Sequence, residues 1–421
     1  MARSAVPEGV ARRRPWRRTA CVLNSLTAIV WTALAAGPST AAAVVGSCAL
    51  PRTGAHHSEG LDTWNSDYPR PVRPLDALML FLSFPDREPS VTTDALVADH
   101  FPVTSDFFAR ASYGRLELRP RPREVWVPMP APSTAYGIRR DWDAELRTAF
   151  LRDAVATADP LVDFGDYDLV YLVADPHAPG VNSDATKVVN FDEPMVVDGT
   201  EIRRIVTVFE QHPPDRNVLA HETGHVFDLP DLYRRPGDGK GDWDTHVGDW
   251  DLMGSQFGLA PDLFGWHKWK VGWLRSWNVD CVPAESGTTW HTLRPLGAPM
   301  GAAAGPGGDA RLIVVRTGTF EALAIEARTP LGNDAGMCGE GVLLYRVRAD
   351  AASADGPVQV IDGHPDSEGC QPDSVYPPLA DATLKAGESY DTDAGGGVRV
   401  EVGEPATGGG WDVKVTRGER Q

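Results

Sequence analysis

The apolar positions of the first two thirds of the chain predict strands alternating with helices. Leu78–Phe84 is an apolar run of strand length, and Asp168–Ala174 and Arg204–Phe209 are two further such runs. Between the first two, Trp142–Ala156 carries apolar residues at helical spacing and predicts an amphipathic helix. This alternation is typical of an α/β (α+β) core. We place that core at residues 75–275.

From about residue 276 the pattern changes to short alternating runs separated by glycine and proline clusters. Many short strands with turn signals indicate a β-sandwich-like C-terminal domain over residues 276–421. The runs are Ala310–Arg316, Ala322–Ala327, Gly341–Val347, Val358–Ile361, Val398–Val402 and Trp411–Val415. No catalytic group stands out among them. A structural brace, a substrate-binding module and a carbohydrate-binding module all remain open.

The N-terminus predicts export. Five arginines within Arg12–Arg18 precede the mostly apolar stretch Cys21–Ala36, and Ala41–Ala43 suits cleavage by signal peptidase. The stretch is short for a membrane span and polar residues interrupt it, so an uncleaved anchor is the less favoured alternative. We therefore interpret residues 1–43 as a signal peptide of a secreted protein without stable membrane association after cleavage. Residues 44–74 then predict an extended leader or strap.

The segment His221-Glu-Thr-Gly-His225 indicates a metal centre. Histidines four apart lie on one face of a helix, where both imidazoles can bind one metal ion. Glu222 lies further round the same helix and can act as a general base on a metal-bound water. Pro230 disfavours helix in the residue before it, so the chain should turn there and carry Asp231 back as a third ligand.

The motif and its neighbours resemble the secreted immune inhibitor A family of zinc metallopeptidases. After His221–His225, the similarity continues in Leu229–Tyr233 and in Trp250–Ser255 (Trp-Asp-Leu-Met-Gly-Ser). Upstream, Leu78–Asp86 resembles the first core strand of the family and its turn, and Phe164–Asp168 also fits. The resemblance covers roughly residues 75–275, the predicted catalytic domain, and extends only loosely into the C-terminal one.

The resemblance implies both a fold and a set of roles. The fold would be zincin-like, with a zinc-bearing helix packed below a sheet. His221, His225 and Asp231 would be the zinc ligands, and Glu222 the general base. Met253 would occupy a methionine turn that forms an apolar floor beneath the histidines.

Asp228 departs from the family pattern. The family usually has glycine three residues after the second histidine, where the backbone can need a left-handed conformation as it leaves the helix. Aspartate tolerates that conformation at a modest cost, so the turn is strained rather than forbidden. Asp228 also places a second carboxylate near the metal. We favour Asp231 as the third ligand and keep Asp228 as the alternative.

The net charge and the length of the chain limit the classes of molecule that the protein is expected to bind. A chain of 421 residues is long enough for two domains, and its formal net charge of −18 argues against nucleic acid. A protein or peptide substrate is the predicted partner, held extended against an edge strand near Val206–Phe209. Two alternatives remain: an exported binding or adhesion protein on a metallopeptidase scaffold, and a zinc amidase acting on cell-wall peptides.

Four cysteines remain once the signal peptide is removed, and in an exported chain they suggest two disulfides. Three connectivities are possible. Cys338 and Cys370 are close in sequence and are expected to pair within the C-terminal domain. Cys48 and Cys281 would then tie the mature N-terminus to the end of the catalytic domain.

The loop between the motif and Met253 offers secondary candidates. Asp238, Asp242 and Asp244 could chelate calcium, although their spacing does not match an EF-hand and an acidic solvated loop is the favoured interpretation. Zinc is therefore the predicted cofactor and calcium an additional candidate. His246 is a spare candidate ligand or hydrogen-bond donor, with a surface position favoured.

Three further polar residues have candidate roles near the metal. Tyr233 could donate a hydrogen bond in the transition state, although packing against the active-site helix is favoured. His56 and His57 could reach the metal in a latent state of the enzyme, although adjacent histidines in a polar segment are usually exposed.

Overall fold

The computed structural model describes residues 48–237, 240–301, 308–406 and 409–418, and these form several β-sheets with few helices. The fold is therefore mixed α/β with mostly strands. The predicted signal peptide lies outside the described residues. The described residues belong to one compact unit. The expected border near residue 275 thus separates two layered regions of that unit.

A mixed five-stranded sheet forms the centre of the N-terminal region. Its strands are β1 (Pro74–Ser83), β2 (Glu117–Pro128), β3 (Leu169–Ala174), β4 (Lys187–Val197) and β5 (Thr200–Val208). They lie in the order β2-β1-β3-β5-β4, and all neighbours are parallel except β4 and β5. Three of these strands match the apolar runs, because buried parallel strands are apolar on both faces.

Helices cover both faces of this sheet. They are α1 (Thr93–His100), α2 (Val103–Ala111), α3 (Ala144–Ala158) and α4 (Val218–Val226). A further helix, α5 (Gly265–Lys270), contacts Glu326 and Tyr345 of the C-terminal region. The predicted amphipathic helix is α3, and its Phe150 and Leu151 pack into one core with Leu172 of β3. On the opposite face, the Tyr171 hydroxyl of β3 lies 2.9 Å from Thr223 Oγ1 of α4. Helix α4, which carries the histidine motif, is buried throughout.

Two smaller sheets build the C-terminal region. One has the order β11-β10-β9-β8-β6 and the other β12-β13-β14-β7. The strands are β6 (Val279–Cys281), β7 (Gly287–Leu293), β8 (Leu312–Arg316), β9 (Glu321–Arg328), β10 (Gly341–Arg348), β11 (Val358–Val360), β12 (Ser389–Thr392), β13 (Val398–Ala406) and β14 (Gly410–Arg417). Apolar residues of both sheets share one core. This is the two-layer arrangement that the alternating runs predicted.

The edge strand beside the motif helix differs from the prediction. Residues 206–208 belong to β5, which is paired on both sides, whereas β4 forms the edge. The exposed residues along β4 gave it no clear apolar period, so the sequence pattern missed it. An extended ligand that joins this sheet on the side of the motif helix would therefore pair with β4.

The structure contains both predicted disulfides, Cys48–Cys281 and Cys338–Cys370. The first links residues that are 233 positions apart and fastens the start of the described chain to β6. None of the helices in the described part of the chain has both the length and the apolar content that a membrane crossing requires.

Candidate metal centre and catalytic cavity

The two histidines of α4 direct their Nε2 atoms to one point. His221 Nδ1 lies 2.9 Å from the carbonyl oxygen of Leu252, and His225 Nδ1 lies 2.8 Å from that of Leu229. A carbonyl can only accept, so each Nδ1 carries the proton and donates it. In the neutral form of each ring, the lone pair is then on Nε2, which is the form of histidine that binds a metal.

Asp231 brings a third acceptor to the same point. Its Oδ1 lies 3.4 Å from His221 Nε2 and 3.0 Å from His225 Nε2. This oxygen is buried and has no hydrogen-bond donor among the described residues. Within the described part of the chain, these three side chains are the one group of histidine, cysteine and carboxylate residues close enough to hold a metal ion together. Three converging ligand atoms of this kind could hold a cation between them.

The electrostatics of the site favour positive charge. Burial lowers the pKa of His225, but the Asp231 carboxylate, with Glu222 and the Leu229 carbonyl, raises it to about 9. Burial likewise raises the pKa of Asp231, and the neighbouring imidazoles bring it well below its ordinary value. A site that stabilises an imidazolium this strongly also stabilises a metal cation.

Glu222 faces the same cavity without joining the ligand group. Its Oε2 accepts a hydrogen bond of 2.9 Å from the backbone N–H of Val188 in β4. Burial raises the pKa of Glu222, and the two imidazoles partly counteract this. The edge strand thus fixes the orientation of the Glu222 carboxyl group, and burial increases its affinity for a proton. Both properties suit a general base.

Helix α4 ends in a Schellman turn rather than at Pro230. The N–H of Leu229 bonds to the carbonyl of Gly224, and the N–H of Asp228 bonds to that of His225. Asp228 occupies the position where glycine is usual, with φ of 65°. The left-handed residue reverses the chain, so that Asp231 returns to the histidines.

The Asp228 carboxylate points away from the ligand group. It forms an ion pair with Arg52 at 2.8 Å and accepts a hydrogen bond of 2.9 Å from His57 Nδ1, and its side chain is only 1% exposed. Burial lowers the pKa of His57 to about 4, so this ring is a neutral donor. Burial raises the pKa of Asp228, whereas His57, Lys270 and Arg52 lower it to about 2. Of the two carboxylates considered as the third ligand, the structure brings only Asp231 to the histidines.

Met253 lies directly beneath α4. A Cβ atom added to Gly224 would lie 2.4 Å from Met253 Sδ, so glycine at this position permits the close approach. The backbone N–H of Met253 donates to Asp251 Oδ1, and its carbonyl accepts from Leu232. The methionine turn is thus fixed to the segment that carries Asp231.

Ser353, from the C-terminal region, orients Asp231. The serine hydroxyl accepts from the Asp231 backbone N–H at 2.8 Å and donates to Asp231 Oδ2 at 3.1 Å. With Oδ2 occupied, Oδ1 is the atom that faces the imidazoles. Sequence reasoning did not select Ser353, and a lone serine in a loop gives no signal for such a role.

The cavity above the site has a volume of about 230 Å³. Tyr233 lines it, with its ring stacked at 6.4 Å on His221 and at 5.4 Å on Trp243. Burial, with a contribution from the Asp231 carboxylate, raises the pKa of Tyr233, so its hydroxyl stays protonated and able to donate. Packing and donation, the two roles considered for this tyrosine, are compatible.

The other secondary candidates do not belong to the ligand group. His246 does not line the cavity, and its carbonyl accepts from Val360 of β11. Asp238 lies outside the described residues, and Asp242 and Asp244 belong to no group with metal-binding geometry among those described. His56 and His57 do line the cavity, but neither belongs to the ligand group.

No protein-family model matches the chain, and no curated protein matches it either. The motif and the geometry of the site are therefore the basis for proposing a function.

Proposed function

We propose that this chain is a secreted zinc-dependent endopeptidase that resembles the immune inhibitor A family. One observation carries the proposal. His221, His225 and Asp231 direct three buried acceptor atoms at one point, beside the carboxyl group of Glu222 and within one cavity.

The donor set fits zinc. Zinc in hydrolases is commonly held by three nitrogen or oxygen ligands with a fourth position open to water and substrate. Two neutral imidazoles and one carboxylate match that pattern, and each ligand is oriented by a second hydrogen bond of the kind that tunes metal sites. A zinc ion held there would supply Lewis acidity, polarising a carbonyl and lowering the pKa of water.

Glu222 performs the proton transfer in this proposal. Its carboxylate takes a proton from the attacking water and later delivers that proton to the leaving amine. The bond from Val188 holds one carboxyl oxygen in place, so that the other is available for the proton. Tyr233 has a protonated hydroxyl in the same cavity and can stabilise negative charge on the substrate oxygen.

The position of the edge strand β4 is consistent with a peptide as the substrate. Lys187, Val188 and Asn190 of this strand line the cavity beside Glu222. An extended peptide can pair with the free side of an edge strand, which would place its backbone across the metal position. The mixed sheet above a buried histidine-bearing helix supports the zincin-like assignment.

The proposal of secretion is supported by covalent structure. Disulfides persist in oxidising compartments, and the chain contains two. The basic and apolar N-terminal segment of the sequence agrees with export.

The test compares the purified mature protein with Glu222→Gln and Glu210→Gln. Glu210 is a matched control, because it is also a buried glutamate whose pKa is raised by burial, and it does not line the cavity. An unfolded protein and purified peptidoglycan serve as substrates, and bound zinc is measured by elemental analysis.

We expect wild type and Glu210→Gln to cleave the unfolded protein. Glu222→Gln should keep its zinc and lose at least about a thousandfold in kcat/KM, because it lacks the proton acceptor. Cleavage of peptidoglycan alone would identify an amidase. Zinc binding without hydrolysis of either substrate would favour a binding or adhesion role, and equal activity of all three proteins would refute the site.

A further inference from the structure

The segment of residues 48–74, called the N-terminal strap from here on, is built into the protein. The disulfide at Cys48 anchors its first residue, and Trp273 Nε1 donates to the carbonyl of Pro71 near its end. Between these points Glu59 is fully buried, at 2.7 Å from His267 and 3.5 Å from Lys270. A removable leader would not place a buried carboxylate in an internal ion-pair cluster.

The strap also touches the turn that follows the metal-binding helix. Arg52 and His57 hold the two carboxylate oxygens of Asp228, and the Arg52 side chain is itself only 17% exposed. Lys270 Nζ donates to the carbonyl of His57 and fixes this part of the strap. Among the described residues, the strap thus provides a partner for each oxygen of Asp228, Arg52 for Oδ2 and His57 for Oδ1.

Asp228 needs such partners because of its backbone. Its φ of 65° is readily adopted by glycine but is unfavourable for a residue with a Cβ atom. The same conformation directs the carbonyl of the next residue, Leu229, onto His225 Nδ1 at 2.8 Å. A change at Asp228 is thus transmitted directly to the orientation of a ligand imidazole.

We infer that the N-terminal strap is a permanent part of the metal centre, in which Arg52 and His57 act as positioning residues. By binding both oxygens of Asp228 they hold the left-handed turn that glycine would hold unaided, and so keep His225 aimed at the metal. This inference rests on the proposed function for the identity of the metal. It also accounts for the aspartate at a position where the resembled family has glycine.

The geometry distinguishes this role from latency. A latent strap would offer a side chain to the metal and would have to leave before activity. Here His57 Nδ1 bonds to Asp228, and its ring stacks beside His225 with centres 5.7 Å apart. The strap thus binds the support of the ligands and leaves the ligand atoms themselves open to the cavity.

The experiment is a double-mutant cycle with Arg52→Ala, Asp228→Gly and the combined variant in the full mature chain. Arg73→Ala is the matched control, because Arg73 is also a strap arginine paired with a carboxylate, Asp168, but at an exposed position away from the metal. Two quantities are measured for each protein: the zinc dissociation constant by competition with a chelating dye, and the midpoint of urea unfolding in EDTA.

We expect Arg52→Ala to weaken zinc binding by roughly tenfold, in the range typical of lost supporting contacts. In the Asp228→Gly background the same change should have little effect on zinc binding, since glycine holds the turn unaided. Arg73→Ala should leave the dissociation constant unchanged.

An equal loss of zinc affinity from Arg52→Ala in both backgrounds would overturn the inference, since Arg52 would then act independently of Asp228. Unchanged zinc affinity in Arg52→Ala would overturn it as well. If wild type binds no zinc, the proposed function fails separately. In that case the positioning role of the strap is tested by the urea unfolding midpoints in EDTA. Arg52→Ala should lower the midpoint in the wild-type background and have little effect in the Asp228→Gly background, and an equal effect in both would overturn the inference.

Discussion

The buried histidine His267 should make the stability of the folded chain depend on pH in the alkaline range. Its ring is fully buried between Asp251 Oδ2 at 3.0 Å and Glu59 Oε1 at 2.7 Å. Asp251 also accepts from the backbone of Met253, so this cluster supports the methionine turn. The variant His267→Gln tests this, because it keeps a hydrogen-bond donor and removes the ionisable ring.

The magnitude follows from the pKa of this histidine. Burial lowers it, but the two carboxylates raise it to about 9, against an ordinary value of 6.5. The difference corresponds to about 3 kcal/mol of unfolding free energy. Because the folded pKa is raised, this stabilisation is fully present below pH 6.5 and is lost as the pH rises through 9.

The assay is urea unfolding of wild type and His267→Gln at a series of pH values from about 6 to about 10. Contributions of other groups are shared by both proteins and cancel in the difference. We expect the stability advantage of wild type to shrink by about 3 kcal/mol across this range. Parallel pH profiles of the two proteins would refute the assignment of a protonated His267.

His100 provides the control of opposite sign. Burial lowers its pKa to about 4, so this ring is neutral in the folded and unfolded states throughout the alkaline range. The variant His100→Gln should therefore run parallel to wild type above about pH 7.5, while it diverges in acid.

Two further predictions concern the supports of the metal ligands. Ser353→Ala should weaken zinc binding by about 10- to 100-fold and Ser353→Thr should retain it, as measured by chelator competition, because the hydroxyl orients Asp231; equal affinity of both variants would contradict that role. Gly224→Ala should lower the unfolding free energy by about 1–3 kcal/mol, since its Cβ would lie 2.4 Å from Met253 Sδ. Combined with Met253→Ala, its cost should fall, and strict additivity of the two changes in urea unfolding would contradict the packing argument.

The sequence predicted the elements whose signal is local. Leu78–Phe84 and Asp168–Ala174 were recognised as strands because burial on both faces requires an unbroken apolar run. The α3 helix was recognised by its period. Strand β4 was missed and the edge was assigned to β5, because a strand with one free side carries many exposed residues and no such run.

The spacing of His221, Glu222 and His225 determined their arrangement, since residues on one helix have fixed relative positions. The choice between Asp228 and Asp231 required the tertiary structure. It depends on Arg52 and His57, which lie about 170 positions away in the sequence and reach Asp228 only after the strap has packed.

The residues that support the metal-site side chains could likewise not be predicted from the sequence. Ser353 and Glu59 have no sequence signal, because their roles depend on packing between segments far apart in the chain. Local spacing along the chain therefore specifies the chemistry that one helix and its turn can offer. The tertiary structure decided which carboxylate joins that chemistry and which distant segments hold it in place, because long-range packing is set by the whole fold and not by local spacing.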